Sequence, residues 1–191
     1  MNVGATGVTD GGLFFQWGDT SGYTASQVGS EEGQKYFDWS DYKYWTSDTG
    51  SGSSGFTKYN STDGKTVLDA SDDAVQANWG GVWRMPTVAE FIALGTATTS
   101  AWASSYEGSG VAGLVLTDKT DSSKKLFFPA AGLCSYGSMG EVGRLGGCLS
   151  SSLHSSDVQK AYYLSFYGGM IVDWQTYDYR CFGLTVRGVV G

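Results

Sequence analysis

The side chains of this chain that could recognise or transform another molecule are concentrated in its last third. Residues 161–190, AYYLSFYGGMIVDWQTYDYRCFGLTVRGVV, are dense in Tyr, Asp, Ser, Cys and Phe. Tyrosine offers rigid contact area and a hydroxyl, and serine adds adaptable hydrogen bonds, a mixture typical of binding surfaces. The stretch therefore predicts a recognition surface, and an ordinary aromatic-rich sheet edge is the alternative.

Patterns that would indicate catalysis or metal binding are weak. The lone His154 has no Ser/Asp partner that the sequence reveals, which favours a solvated loop histidine over a general base. The three cysteines, Cys134, Cys148 and Cys181, show no CxxC spacing and no Cys/His cluster, which argues against zinc. One disulfide with a free thiol and three separate thiols both stay open. We predict no cofactor, no metal and no enzymatic activity.

Length and composition limit the class of protein. A chain of 191 residues with 41% hydrophobic residues suits one domain with a proper core. The net charge of −7 argues against nucleic acid as a partner, because phosphates demand a basic face. No apolar stretch approaches the roughly 20 residues of a membrane span. The N-terminus lacks a basic region followed by an apolar one, so no signal peptide is predicted.

Two short helices are predicted to position these residues. The first spans residues 68–78, with Ser71 as its N-cap and Asp72 and Asp73 in the first turn, where the helix dipole favours acids. Because no further ligands gather there, capping is favoured over a metal site. The second helix begins at a capping box formed by Thr87 and Glu90.

Further along the second helix, Phe91 and Leu94 are expected to face the core, and Gly95 is expected to end it. The stretches GVAGLVLTDK and KKLFFPAAG then form a hairpin around a polar turn at 121–123. The glycine-rich residues 133–149 are predicted to be a loop.

The C-terminal stretch itself reads as a β-hairpin whose tight turn is Gly168-Gly169. Side chains alternate between the two faces of a strand. We expect four of them to face the core: Leu164, Phe166, Val172 and Trp174. We expect four others to face outward: Tyr163, Ser165, Tyr167 and Asp173. A closing strand at 183–189 would point Leu184 and Val186 inward.

The order of motifs resembles a bacterial and phage family. It runs WGGVWRMPTVAEF, LFFPAAG, a glycine-rich loop, SSS, AYYLSF and W-x5-R-x2-GLTVR. These features are similar to C-type-lectin-fold proteins related to formylglycine-generating enzymes, above all the variable proteins of diversity-generating retroelements from gut Bacteroidales and their phages. The resemblance implies an α+β, C-type lectin-like fold with short antiparallel sheets, two helices and long loops, in a single domain over residues 1–191.

In that family a C-terminal segment, here about 133–187, is rewritten by adenine-directed mutagenesis and forms the ligand-binding face. Codons derived from an Asn template can give Tyr, Asp, Ser, Cys, His, Phe, Leu or Gly. The resemblance implies nine display positions: Tyr163, Ser165, Tyr167, Asp173, Tyr177, Asp178, Tyr179, Cys181 and Phe182. Six more candidates lie in the same segment: Ser135, Tyr136, Cys148, Leu149, His154 and Asp157. The scaffold positions would include Trp83, Arg84, Pro86, Trp174, Arg180, Gly183 and Arg187.

The leading hypothesis is therefore a ligand-binding module of a phage tail fibre or bacterial surface protein. Its partner would be a protein or glycan on a target cell, with no nucleic acid and no membrane insertion, and a homo-oligomer stays open. The calcium-ligating signatures of sugar-binding C-type lectins are absent from the sequence. The alternatives are a formylglycine-generating type of enzyme, which needs a cysteine pair close in space, and an adhesin or pilus-tip domain with an invariant face.

Overall fold

The structure is a computed structural model and describes residues 1–46, 55–169 and 171–191. Within these residues there are two α-helices, α1 (Ala74–Trp79) and α2 (Val88–Ala97). Short 3-10 turns occupy Ala25–Gln27, Trp39–Asp41, Ala70–Asp72 and Tyr106–Gly108. Most of the region from Thr20 to Gly64 is irregular, as expected, although residues 47–54 and Met170, which was expected in the return strand of the C-terminal hairpin, lie outside the described residues.

Twelve strands form four sheets within the described residues. The strands are β1 (Phe14–Phe15), β2 (Trp83–Arg84), β3 (Thr98–Ala103), β4 (Gly113–Asp118), β5 (Lys125–Pro129), β6 (Leu133–Ser135), β7 (Ser138–Gly140), β8 (Leu145–Leu153), β9 (Lys160–Tyr167), β10 (Ile171–Tyr179), β11 (Leu184–Thr185) and β12 (Val189–Val190). The main sheet has the order β1-β11-β8-β9-β10, in which only β11 and β8 run parallel. The smaller sheets are β3-β4-β5, β12-β2 and β6-β7. The prediction of a mixed α+β protein is confirmed.

Both helices form, but their ends differ from the prediction. The N-cap of α1 is Asp73, whose side chain accepts from the amides of Val75 and Gln76, so the helix starts later than Ser71 would have placed it. The capping box of α2 is confirmed at Thr87. Gly95 does not end α2, because it lies inside the helix, where an added Cβ would collide with the ring of Trp174.

The main sheet is covered on both faces. One face packs on α2 and on β4 and β5, through side chains that include Cys148 and Leu164. The opposite face packs on a second cluster, which includes Leu149 and Tyr163 together with Trp17 from the N-terminal region. Cys148 and Leu149 of β8, and Tyr163 and Leu164 of β9, are therefore buried although each pair points to opposite faces of the sheet. The pattern of one buried and one exposed face does not hold at these positions.

The two predicted hairpins form, whereas the predicted glycine-rich loop is wrong over most of its length. The β4–β5 and β9–β10 pairs are antiparallel, and Gly169 has the positive φ of +116° that its turn requires. Residues 133–149 instead supply the β6–β7 hairpin and the first half of β8. Gly146 allows this because any side chain there would collide with Phe166 of the neighbouring strand.

The serine run that follows is also part of β8. Ser150, Ser151 and Ser152 are buried, and hydrogen bonds of 2.7–3.3 Å to backbone groups satisfy their hydroxyls. The inward positions of the C-terminal region are confirmed for Leu164, Phe166, Leu184 and Val186, while Val172 and Trp174 are half-buried against the core. The predicted closing strand at 183–189 is split between β11 and β12, which belong to different sheets.

Candidate ligand-binding surface

A band of contacting rings is exposed where the β9–β10 hairpin opens toward the rest of the chain. We call it the aromatic surface, and it consists of Trp39, Tyr136, His154, Tyr162, Tyr177, Tyr179 and Phe182. Tyr136 packs on Phe182 with ring centroids 5.5 Å apart, and Phe182 packs on Tyr179 at 5.6 Å. Tyr179 in turn contacts Trp39 at 5.6 Å. These four rings make one continuous half of the surface.

The second half is built around a histidine. His154 lies 4.9 Å from the ring of Tyr162 and 4.3 Å from the ring of Tyr177. Lys160 joins the two halves, because its ammonium lies 5.1 Å from the centroid of Tyr177 and 5.8 Å from that of Tyr179. Cation–π contacts of this length hold the rings and the cation in a defined arrangement.

The pairing of β9 with β10 sets this arrangement. Tyr162 lies opposite Tyr177, and Lys160 lies opposite Tyr179, so all four side chains share one face of the hairpin. Burial along β10 alternates strictly, which leaves Tyr177 49% and Tyr179 38% exposed. Arg180 follows at once and is fully buried. The exposed tyrosines are thus carried on a strand that is anchored directly beside them.

Arg180 is anchored by aromatic rings, and no described residue forms an ion pair with it. Its guanidinium carbon lies 3.8 Å from the centroid of Phe56 and 5.4 Å from that of Tyr42. Its Nη1 donates to the carbonyl oxygen of Tyr59 at 3.1 Å, while Nε and Nη2 are buried without a partner among the described residues. Burial lowers the pKa of Arg180 from its ordinary value. The cost of burying this cation is offset mainly by aromatic contact.

The loop between β8 and β9 is fixed by its own polar side chains. The Nδ1 atom of His154 accepts from the amide of Asp157 at 3.1 Å, so this nitrogen is unprotonated in this arrangement. Asp157 pairs with Lys160 at 3.3 Å, and this hydrogen bond is the main cause that raises the pKa of Lys160. His154 therefore orders the loop and contributes its ring to the aromatic surface.

Tyr136 occupies an unusual backbone position for a large side chain. It lies in the two-residue turn between β6 and β7, where Tyr136 has φ +48° and Gly137 has φ +68°. Two positive φ angles are typical of a type I′ turn, which favours Asn, Asp or Gly. The ring nevertheless stays 55% exposed. Phe37 and Tyr59 also have positive φ but are fully buried, so among these three aromatic residues Tyr136 alone presents its ring to solvent.

The structure excludes four of the expected display positions. Cys148, Leu149, Tyr163 and Cys181 are buried, so no ligand can reach their side chains in this conformation. Tyr163 was expected to face outward, and that prediction is wrong: it is only 6% exposed because the second cluster covers its face of the sheet. Burial raises its pKa to about 12.

The other expected positions fall into two places. Tyr167, Ser165 and Asp173 lie toward the hairpin turn, where Tyr167 donates to Glu141 at 3.0 Å and Ser165 lies opposite the exposed Asp173. Ser135 is half-buried beside Tyr136. The remaining seven lie in or beside the aromatic surface: Tyr136, His154, Asp157, Tyr177, Asp178, Tyr179 and Phe182.

Sequence reasoning missed three members of this site. Tyr162 alternates with the core residues Leu164 and Phe166, but the cluster under α2 ends before it and leaves it half-buried. Lys160 precedes the predicted strand. Trp39 belongs to a distant loop, and its only signal was the aromatic density of YFDWSDYKYW.

Two carboxylates border the band near Tyr136. Asp178 is half-buried and accepts from the amide of Tyr179 at 2.8 Å, and burial raises its pKa above the ordinary value. Asp38 lies between Phe37, whose carbonyl accepts from the amide of Tyr136, and Trp39, whose ring contacts Tyr179. In the described part of the chain neither carboxylate forms an ion pair.

The three cysteines lie in three different hydrophobic clusters and form no disulfide. Burial raises the pKa of Cys134 and Cys148 to about 12 and also raises that of Cys181, so none is poised as a thiolate. Across residues 1–46, 55–169 and 171–191, no group of three His, Cys, Asp or Glu side chains could hold a metal ion.

A cavity of about 430 Å³ lies elsewhere, between α2 and β5. Its lining is mostly apolar, with Leu94, Leu126 and Phe128 among the contributors, and Arg187 stacks on Phe128 at 4.6 Å. It shares no residue with the aromatic surface.

No protein-family model, curated protein or solved structure matches this chain. In the part of the chain that the structure describes, no helix is both long and apolar enough to cross a membrane. A function must therefore be inferred from the side chains themselves and from their geometry.

Proposed function

We propose that this chain is a ligand-binding display domain with a C-type lectin-like architecture. Its aromatic surface would bind a protein or glycan on a target cell, and a retroelement would diversify the segment 133–187. The domain would be carried on a phage tail fibre or bacterial surface, outside the cell. The observation that carries this proposal is the band of contacting rings from Tyr136 to Tyr177, in which the exposed Tyr177 and Tyr179 lie on a strand that the buried Arg180 anchors.

The physical properties of the band suit binding. Exposed Tyr and Trp rings supply large contact areas with few rotatable bonds, and such residues dominate the energy of many interfaces. The rings already contact one another, so little side-chain freedom remains to be lost when a ligand binds. Tyr177, Asp178, Tyr179 and Phe182 also belong to the residue set that adenine changes in an Asn codon can produce.

The enzyme alternative requires a reactive cysteine pair, and it finds little support in three buried thiols with raised pKa values that lie in separate clusters. An invariant adhesin would share the aromatic surface but not its diversification. The nucleotide sequence of the locus separates these two possibilities. A near-copy of the 3′ coding segment that differs mainly at adenines, beside a reverse transcriptase gene, is the expected result, and a locus without either would overturn the retroelement part of the proposal.

Binding itself is tested with a glycan array and a panel of intact bacterial cells. The Tyr177→Ala/Tyr179→Ala variant should lose the binding that the wild-type protein shows. Trp83→Ala is the matched control, because Trp83 is 39% exposed but lies in β2, away from the aromatic surface. Binding that survives in the tyrosine variant, or that disappears equally in the control, would contradict the assignment of this surface.

A further inference from the structure

The charges around the aromatic surface restrict what it can bind. Tyr136, Phe182 and Tyr179 form a continuous group of rings. Burial raises the pKa of Tyr136, and the charges of Asp38 and Asp178 raise it further, so both carboxylates lie near its hydroxyl. Asp38 accepts hydrogen bonds only from its own turn, at Ser40, and Asp178 accepts only from the next amide, among the bonds of the described residues. Neither carboxylate forms an ion pair among the described residues, although Lys160 lies close enough to Asp178 to offset part of the rise in its pKa that burial causes.

Lys160, the cation of the aromatic surface, does not form an ion pair with Asp38 or Asp178. Lys160 is paired with Asp157 at 3.3 Å, so the two charges cancel locally. The ammonium of Lys160 lies over Tyr177 and Tyr179, which shows that the rings of this surface can contact a cation through their faces. A second ammonium or guanidinium brought by a partner would find the same ring chemistry at Tyr136 and Phe182, together with two unpaired carboxylates.

We propose that the aromatic surface binds a basic segment of a partner protein, with a lysine or arginine side chain seated among Tyr136, Phe182 and Tyr179 between Asp38 and Asp178. This inference rests on the proposed display function and names its ligand chemistry. The net charge of −7 adds a field that attracts such a segment from a distance. An uncharged glycan could stack on the same rings and donate hydroxyl hydrogen bonds to the carboxylates, but it would bring no positive charge to neutralise them.

The test is a selection from a phage-displayed library of random peptides of about 12 residues, long enough to cover such a surface. Peptides that bind the wild-type protein should be rich in Lys and Arg. Their affinity should fall about tenfold or more in Asp38→Asn/Asp178→Asn, since two charge-assisted contacts are lost. It should also fall when the ionic strength rises from about 0.05 M to about 0.5 M.

Asp118→Asn/Asp121→Asn is the matched control. It changes the net charge by the same amount at the turn between β4 and β5, and asparagine can still accept the local hydrogen bonds of that turn. Its affinity for the selected peptides should stay near that of the wild-type protein. Equal losses in the two double variants would mean that only the overall charge matters and would overturn the proposal.

Other outcomes separate this inference from the proposed function. Selected peptides that are neutral or acidic, yet fail to bind Tyr177→Ala/Tyr179→Ala, would overturn the basic-segment inference and leave the display function intact. Glycan binding that is unchanged in Asp38→Asn/Asp178→Asn would likewise overturn the basic-segment inference and leave the display function intact. Peptides that bind the tyrosine variant as tightly as the wild-type protein would overturn both.

Discussion

Replacing Tyr163 by alanine should destabilise the fold far more than the same change at Tyr177. Burying an aromatic side chain removes about 150–250 Å² from water. At about 25 cal/mol per Å², nearly complete burial of Tyr163 is worth about 4–6 kcal/mol, in line with the ~3–5 kcal/mol cost of truncating a buried aromatic residue. We therefore expect Tyr163→Ala to lower the free energy of unfolding by about 4 kcal/mol.

Tyr177 is 49% exposed, so half of that area is at stake. The resulting figure of about 2–3 kcal/mol is an upper bound, because the unfolded chain already hides part of its apolar surface. We expect a loss of about 1–1.5 kcal/mol. Because the two variants remove the same atoms, the difference between their losses in free energy of unfolding reports on how deeply each side chain is buried.

Equilibrium urea unfolding, followed by tryptophan fluorescence, measures both losses, and an unchanged slope shows that the variants differ in stability alone. The assignment of Tyr163 to the core and Tyr177 to the surface is contradicted if Tyr177→Ala lowers the free energy of unfolding as much as Tyr163→Ala. It also fails if Tyr163→Ala costs less than about 1 kcal/mol, the range of ordinary surface changes.

Three further outcomes are expected. Arg180→Met should keep the free energy of unfolding within about 1.5 kcal/mol of the wild type, because methionine fills the site and removes two buried nitrogens that have no partner among the described residues. Arg180→Ala should cost about 3 kcal/mol or more, and equal losses in urea unfolding would contradict this. Hydrogen bonding to Arg84 lowers the pKa of Glu90 from 4.5 to about 2. The stabilisation from Glu90 should thus be complete above its unfolded value and lost as the pH falls through about 2, and unfolding measured from about pH 6 to about pH 2 should show a shallower acid decline for Glu90→Gln. The cysteines should react with an aromatic disulfide reagent only after unfolding, since all three are buried; one thiol that reacts in the native protein would refute their placement.

Local signals in the sequence were enough to predict several elements. The capping box at Thr87, the β4–β5 hairpin and the turn at Gly168-Gly169 each depend on neighbouring residues, and the structure contains all three. The start of α1 was missed because Ser71, Asp72 and Asp73 are all acceptable N-caps. Only the fold shows that Asp73 also accepts from the amide of Met85, which fixes the choice.

The remaining errors have a common physical origin in contacts between distant segments. Residues 133–149 read as a loop because they are rich in glycine, yet packing on both sides places residues 145–149 in the largely buried strand β8. The alternation of side chains along β9 correctly predicted that Leu164 is buried and wrongly predicted that Tyr163 is exposed. A strand pattern cannot reveal that the second face of the sheet is also covered. The exposed rings of the hairpin were foreseen, whereas Trp39 reaches them from a loop with no periodic signal.

The strict alternation of β10 has a consequence for how this protein can evolve. Exchanging the side chain at Tyr177 or Tyr179 does not change the face to which the other residues of the strand point. Deleting or inserting one residue between Thr176 and Arg180 would turn the exposed side chains inward and pull Arg180 out of its aromatic surroundings. The number of residues in this segment is therefore constrained by the fold, whereas its exposed side chains tolerate substitution.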